Sequence, residues 1–478
     1  MLWLLSGCFL GQQPAANSQQ PDIDHGDLLV TDYVRSFHAN LQKTFANDCY
    51  PYTKFSECHK TSTEIMFIYQ DSILGGNVLM DDKSIEVFRF DGDKPVFPVN
   101  ILVYPIDDGF ELRIEYDGMK YCNRYMQTLA EAIANTAINM TNAEFIKDVS
   151  LVSEEQKDVI IRLSAGEKLE YDKTQTWVDM FRHQAAEHPN TVAVVDSHSS
   201  ITYRELDRQS DSIAAYLLNK GVKTNDFVAV KIGRVKEFVT AVLGINKAGA
   251  AYVPVDPDYP EERIGFMLED SSAKAVVTET IVAEALQKYK NAESVNNSTT
   301  DGLAYMIYTS GTTGKPKGAM ILHRGLRAFI AWNNTEFGQC HETSHLVHAS
   351  FSFDASVFDM LCPLAAGSTV HILGEELRRD LAGVNDYITV NNITGMLVNT
   401  SVGMELLGSF EPGLKYIMLG GEKMLPVRKT GAKVYNAYGP TEFTAASTFY
   451  PVNHTEKDVP IGRPVPNSYG VVCDKYGH

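Results

Sequence analysis

The chain has no run of 18 apolar residues, so no membrane-spanning helix is expected. It also lacks any Cys-x-x-Cys pair. Its seven cysteines (Cys8, Cys49, Cys58, Cys122, Cys340, Cys362, Cys473) are scattered and odd in number. That pattern indicates neither a zinc site nor a disulfide framework and points to reduced thiols in a cytoplasm. Positive charge is scarce: 42 Lys and Arg stand against 60 Asp and Glu, a formal net charge of −18. Such an excess argues against nucleic acid or an anionic membrane surface as partner, while a locally basic nucleotide site stays compatible with it. No Lys or Arg precedes Cys8, and the apolar stretch before it is very short. Leu2–Leu10 therefore reads as a buried strand rather than as a lipoprotein leader.

What the chain does have is length and one dense segment. At 478 residues it is too long for one ordinary core, and two to four domains are expected. The segment Tyr308-Thr309-Ser310-Gly311-Thr312-Thr313-Gly314-Lys315-Pro316-Lys317-Gly318 follows an apolar run, Leu303–Tyr308, that reads as a buried strand. Glycines let the main chain approach an anion, hydroxyls and N–H groups bind it, and lysines neutralise it. The spacing is not that of the P-loop, because Pro316 follows Lys315 and blocks continuation into a helix.

Residues 1–147 read as one α/β unit. A helix is expected over Val34–Phe45, then strands over Glu64–Tyr69, Ile85–Phe90, Phe97–Tyr104 and Phe110–Tyr116. In the last, Phe110, Leu112, Ile114 and Tyr116 alternate onto one face. A helix over Cys122–Ile138 repeats Met126, Leu129, Ile133 and Ala137 at helical spacing. Residues 148–175 read as a connector, with Ser153 as a helix N-cap and an irregular polar stretch over Ser164–Thr176. From 176 to 478 strands alternate with helices, which argues for mixed or parallel sheets covered on both faces. Helices are expected over Val178–Glu187, up to Asn219 and over Lys236–Lys247. Strands are expected over Val192–Val195, Phe227–Ile232 and Ala251–Val255.

Further segments carry chemistry. Tyr438 in Asn436-Ala437-Tyr438-Gly439-Pro440-Thr441-Glu442 offers a stacking surface for adenine, and Asn436 with the backbone around Gly421 offers hydrogen bonds. Glu442 suits Mg²⁺, which takes one or two carboxylates plus phosphate oxygens. Asp354 stands in the apolar run Phe351–Phe358, where a carboxylate is costly unless a cation meets it. An α-ammonium is such a cation; an N-cap for the following helix is the plainer use. His345, His348 and Cys58-His59 complete no metal set and read as ordinary residues, and Glu375–Arg379 reads as a solvated turn or helix.

The undecapeptide resembles the phosphate-binding loop of the adenylate-forming enzymes. Lys247–Pro257 with Tyr259-Pro260 and Arg263, the Phe353–Ser356 segment, Gly420-Gly421-Glu422, Asn436–Glu442 and Ile461–Pro464 are similar to motifs of nonribosomal peptide synthetase adenylation domains. The resemblance implies an α/β adenylate-forming large subdomain that binds ATP and Mg²⁺ and activates an amino acid as aminoacyl-AMP. It implies chemistry at Thr309, Lys317, Thr441 and Glu442. Nucleotide contacts are implied at Thr309, Ser310, Gly311, Thr312, Thr313, Gly314, Lys315, Lys317, Gly421, Glu422, Asn436, Ala437, Tyr438, Gly439, Thr441 and Glu442. Substrate contacts fall at Asp354, Ala355, Phe358, Leu397, Met418, Gly420, Ala437, Ala445 and Ala446, an apolar lining that implies a neutral hydrophobic amino acid. Tyr203 and Glu205 belong to an early helix motif and read as packing and capping residues. Partners implied are a phosphopantetheine carrier protein and other synthetase modules.

Residues 1–147 resemble the C-terminal half of a condensation domain of chloramphenicol-acetyltransferase-like fold, through Gly7–Leu10, Asn47–Tyr52 and Ile65–Gln70. Its paired-histidine His-His-x-x-x-Asp-Gly motif is absent, so this half is expected to be catalytically empty. The family's ribose-binding Asp motif, its C-terminal catalytic Lys and a carrier attachment motif are absent too. The expectation is a chain truncated at both ends and weakly active or inactive alone. An acyl- or aryl-CoA ligase, or a non-catalytic nucleotide-binding module, is the alternative.

Overall fold

The computed structural model describes residues 26–46, 64–69, 77–80, 83–86, 97–106, 109–309 and 316–473. Leu2–Leu10, Asn47–Tyr52, Cys58-His59 and Ser310–Lys315 lie outside the described residues. The chain divides into two compact units, one drawn from the residues up to Leu163 and those from Val471, the other running Ser164–Gly470.

In the first unit, strands Ile65–Tyr69, Val99–Ile106 and Gly109–Tyr116 form a sheet, the first pair parallel and the second antiparallel. Helix Asn123–Asn142 lays Met126 and Ile133 against Val99 and Ile101. Leu112, Ile114 and Tyr116 pack there as their alternation predicts, but Phe110 is 66% exposed at the far end of its strand, beside Tyr69. A separate hairpin pairs Asn77–Met80 with Lys83–Glu86; the rest of the strand expected over Ile85–Phe90 lies outside the described residues. The first helix spans Val30–Ala46, starting four residues before the expected Val34. Ser153 does cap a helix: its hydroxyl accepts from Gln156 N–H at 3.2 Å, and Gln156 Oε1 accepts from Ser153 N–H at 3.0 Å.

The second unit is layered, and the layering follows from strands buried on both faces, whose side chains alternate between two apolar clusters. A five-stranded sheet runs Ala275–Val277, Phe227–Val230, Ala251–Pro254, Leu303–Thr309, Lys317–Leu322. Its Ala229, Val253, Met306 and Tyr308 face helix Glu261–Asp270, while Val228, Val230, Tyr252 and Tyr305 face inward. Inside lie helices Tyr203–Asn219 and Lys236–Lys247. Beyond them a nine-stranded sheet contains, in order, Lys433–Tyr438, Tyr416–Gly420, Gly395–Asn399, Ser344–Val347, Thr369–Ile372 and Val192–Val195, all parallel. Leu346, Met396, Val398, Ile417 and Leu419 face the helices Leu381–Val390 and Thr400–Ser409. Val347, Leu397, Met418 and Ala437 face the opposite way, toward helix Ala355–Ala365.

Polar pins fix the layers. Thr176 and Thr202 each close a capping box, with Asp179 and Glu205. Tyr203 is fully buried and donates to Ser368 O at 2.7 Å. Asn246 accepts from Trp177 Nε1 at 2.7 Å and donates to Ala250 O and Ala304 O. Lys247 is fully buried; its ammonium donates to Asp207 Oδ1 at 2.6 Å, Asp207 O at 2.8 Å and Asp211 Oδ1 at 2.7 Å.

The stretch after Ser164, expected to be an irregular connector, is laced to the far end of its unit. Gly166 N–H donates to Ser468 O at 2.7 Å, Asn467 N–H to Glu167 O at 2.9 Å, and Gly470 N–H to Ser164 O at 3.2 Å. Gly166 is required there, since a Cβ would stand 2.3 Å from Val465 O.

Candidate functional site

The order of the nine-stranded sheet creates the site. After Ser344–Val347 the chain adds Thr369–Ile372 on one side, then crosses to add Gly395–Asn399 on the other. The loops leaving the carboxyl ends of Ser344–Val347 and Gly395–Asn399 therefore diverge. Open α/β sheets bind ligands at such a switch point. Asp354 lies on the loop after Ser344–Val347, at the start of helix Ala355–Ala365. Leu397 pairs in register with Met418, Leu419 with Asn436, and Gly420 with Ala437. The strands thus gather Leu397, Met418, Gly420 and Ala437, expected to line the substrate, at one edge and on the face of Phe358.

Asp354 does not cap its helix: no side-chain cap hydrogen bond is made, and its backbone is already helical. Burial raises its pKa above the usual carboxylate value; the Thr441 hydroxyl and the Ala355 N–H act the other way, and the nearby Glu442 carboxylate adds to the rise. Asp354, Thr441 and Glu442 therefore share one electrostatic neighbourhood. A half-buried carboxylate with no ion pair among the described residues suits an incoming ammonium.

The turn after Lys433–Tyr438 is tight. A Cβ on Gly439 would stand 2.7 Å from Ala446 Cα and 2.8 Å from Ala445 O, so only glycine allows this approach. Thr444 and Ala445 adopt left-handed φ of 61° and 70°, a strained run beside the expected lining residues Ala445 and Ala446. Tyr438 is 54% exposed, its ring available for stacking. Asn436 is buried and its amide donates to Pro460 O at 2.8 Å, so its donor is already engaged. Thr400 Oγ1 donates to Gly420 O at 3.1 Å and lies 3.3 Å from Glu422 O, holding the Gly420–Glu422 turn.

The strand expected before the phosphate loop runs Leu303–Thr309. It is followed by an antiparallel return strand, Lys317–Leu322, that the sequence reading did not place. Thr309 and Lys317 face each other in register, and Thr309 Oγ1 donates to Lys317 O at 3.4 Å. Ser310, Gly311, Thr312, Thr313, Gly314 and Lys315, between them, lie outside the described residues. The return strand lies against the short turn Thr441–Phe443. Glu442 is exposed, as Mg²⁺ requires if it is to keep waters and share phosphate oxygens. No cluster of three or more metal-ligating side chains exists among the described residues.

Sequence reasoning missed three features. Asp359, fully buried on helix Ala355–Ala365, accepts from Leu397 N–H at 2.8 Å and ties that helix to a lining strand. A lone carboxylate in the apolar run Ala355–Ala365 was its only trace. His345 and His348, read as ordinary polar residues, are buried. Burial lowers their pKa to about 3 and about 4, and they bond to the Tyr416 hydroxyl and Arg378 O. Arg234, between strand Phe227–Val230 and helix Lys236–Lys247, is the third.

Residues 181–478 match the family described as AMP-binding enzyme, and the chain belongs to that family. Among curated relatives, bacitracin synthase 1 of Bacillus licheniformis is 30% identical over 433 residues, covering 86% of this chain and 8% of its own. Surfactin synthase subunit 1 of Bacillus subtilis (strain 168) is 28% identical over 474 residues, covering 93% and 13%. The chain thus spans a small fraction of these relatives. Among solved structures, a four-domain holo nonribosomal peptide synthetase bound to AMP and glycine aligns with a TM-score of 0.72 at 22% identity, over 95% of this chain and 37% of that one. The Klebsiella oxytoca NpsA N-terminal subdomain in complex with anthranilyl-AMSN aligns with a TM-score of 0.57 at 27% identity, over 63% and 84%. The mixed α/β architecture is that of peptide synthetase adenylation domains.

Proposed function

We propose that the second unit binds ATP and a neutral, hydrophobic α-amino acid and joins them as aminoacyl-AMP, as a module of a nonribosomal peptide synthetase. The observation that carries this is Asp354: a half-buried, non-capping carboxylate at a sheet switch point, at the start of the helix whose Phe358 packs with Leu397, Met418 and Ala437. A fatty or aryl acid has no use for that carboxylate. The sequence similarity to bacitracin and surfactin synthases supports the same reading. Tyr438 would stack on adenine, with Thr309, Lys317 and the hairpin loop at the phosphates. Glu442 would help hold Mg²⁺, which supplies charge neutralisation at the phosphates when bound. Asp354 orients the amine, so the carboxylate is presented to the α-phosphate.

The first unit we read as the C-terminal half of a condensation domain. Relatives that align over 93% and 98% of this chain support this. A carrier protein and neighbouring modules are the partners this implies. A reducing cytoplasm is the matching compartment. Cys122, Cys340, Cys362 and Cys473 are unpaired, and no helix among the described residues is long and apolar enough to cross a membrane.

The test is binding to the full chain of leucyl- and phenylalanyl-sulfamoyladenosine and of their des-amino counterparts. Asp354→Ala should weaken the amine-bearing analogues by about 2 kcal/mol or more, and the des-amino ones little. Equal loss for both classes, with a lowered melting temperature, would mark Asp354 as a structural residue and sink the reading.

A further inference from the structure

Arg234 belongs to the five-stranded sheet's half of the second unit, yet it spends its guanidinium on the other sheet. Nε donates to Leu373 O at 2.7 Å, Nη1 to Ala349 O at 2.6 Å and Nη2 to Val347 O at 2.5 Å. Val347 ends the strand that leads to Asp354, Ala349 lies in the loop between them, and Leu373 follows the neighbouring strand Thr369–Ile372. The guanidinium carbon sits 5.3 Å from the centre of the Phe351 ring, which stacks on Phe238 at 3.9 Å. Its closest carboxylate, Glu375, is 3.9 Å away, so the carbonyls rather than an ion pair occupy its donors.

The loop it grips needs holding. A cavity of about 110 Å³, lined among others by Arg234, Asp256, Ser350, Ser352 and Glu375, flanks residues 350–352. The cavity leaves the Phe351 ring, stacked on Phe238, to pack the loop on this side. Ser350 ties the loop to a neighbouring segment, donating to Asp256 Oδ2 at 3.2 Å. Three carbonyls spread over two strand ends and a loop match the planar fork of arginine, which the ammonium of lysine does not reproduce.

We propose that Arg234 is a positioning residue for substrate recognition: by clasping Val347, Ala349 and Leu373 it sets where Asp354 stands, and so the selection of an amine-bearing substrate. This rests on the adenylation reading of the site. It touches neither the nucleotide turn Tyr438–Glu442 nor the strands of the phosphate hairpin, so its loss should separate substrate recognition from nucleotide binding.

The experiment measures, on the full chain, the dissociation constants of leucyl-sulfamoyladenosine, its des-amino counterpart and ATP, with the melting temperature of each variant. Arg234→Lys should lower the preference for the amine-bearing analogue at least fivefold and leave ATP affinity within twofold. Phe351→Leu, which removes the ring under the guanidinium, should move the preference the same way by a smaller factor. It also keeps the test decisive if Arg234→Lys does not fold. An unchanged preference in the folded variants overturns the proposal, as does an equal loss of all three ligands. If Asp354→Ala abolishes the preference while the Arg234 and Phe351 variants keep it, only the role of Arg234 falls. If the parent chain shows no amine preference, the adenylation reading falls first.

Discussion

Tyr438 and Asp354 divide the site between them, one exposed ring and one half-buried carboxylate. Aromatic stacking and apolar contact place the effect of Tyr438→Ala at roughly 1–2 kcal/mol of nucleotide affinity. Calorimetric titration with ATP checks this, and equal affinities for variant and parent would contradict it. Such residues stand out in a sequence because their chemistry is in the side chain. Asp354 stands out in an apolar run, and Tyr438 sits in a distinctive heptapeptide. Arg234 was not legible, because its partners are main-chain carbonyls that leave no trace in residue type. Asn436 was half legible: its place beside Tyr438 follows from the motif, but its engagement by Pro460 O depends on a segment 24 residues further on.

Among the elements, the helices early in the second unit were read best. Helix Lys236–Lys247 falls where its spacing puts it, and the helix after Thr202 ends at Asn219 as expected. The return strand Lys317–Leu322 escaped because Lys, Gly, Ala and Met give it no alternating apolar face, and its pairing with Leu303–Thr309 supplies what its sequence does not. The helix pair Tyr203–Asn219 and Lys236–Lys247 is joined by the buried Lys247. Lys247→Met would leave Asp211, whose pKa burial already raises, without its cation. Breaking one side of a buried pair costs about 3–5 kcal/mol. Denaturant unfolding should show a loss of that order. The double variant Lys247→Met with Asp211→Leu should recover part of it, whereas an additive loss would show that the pair is not coupled.

Across the whole molecule, buried histidines set a pH dependence. His323, His345, His348 and His371 are held by burial at about 4, 3, 4 and 4. Unfolded, they bind protons below about pH 6.5. Between that pH and their folded values the unfolded chain holds more protons, so their contribution to stability is complete above pH 6.5 and is lost as the pH falls. The raised carboxyls of Asp354 and Asp359 act in the opposite sense, gaining protons in the folded state. Comparing His345→Gln with the parent isolates the histidine. The gap in melting temperature between them should narrow from pH 7.5 to pH 5, and a constant gap would contradict the assignment.

The lacing of Ser164–Leu169 to the segment ending at Gly470 has a consequence for transplantation. The second unit begins and ends at the same place, with Gly470 N–H on Ser164 O. A unit whose entry and exit share one seam can be lifted out of its chain and set into another scaffold across a single short gap. Its interior strands are spared any rerouting. What must travel with it is the clasp itself: Gly166 against Val465, and Asn467 donating to Leu169 O at 2.8 Å. A graft cut inside that clasp, between Ser164 and Leu169, would part the seam and leave Asn467, Ser468 and Gly470 without these partners.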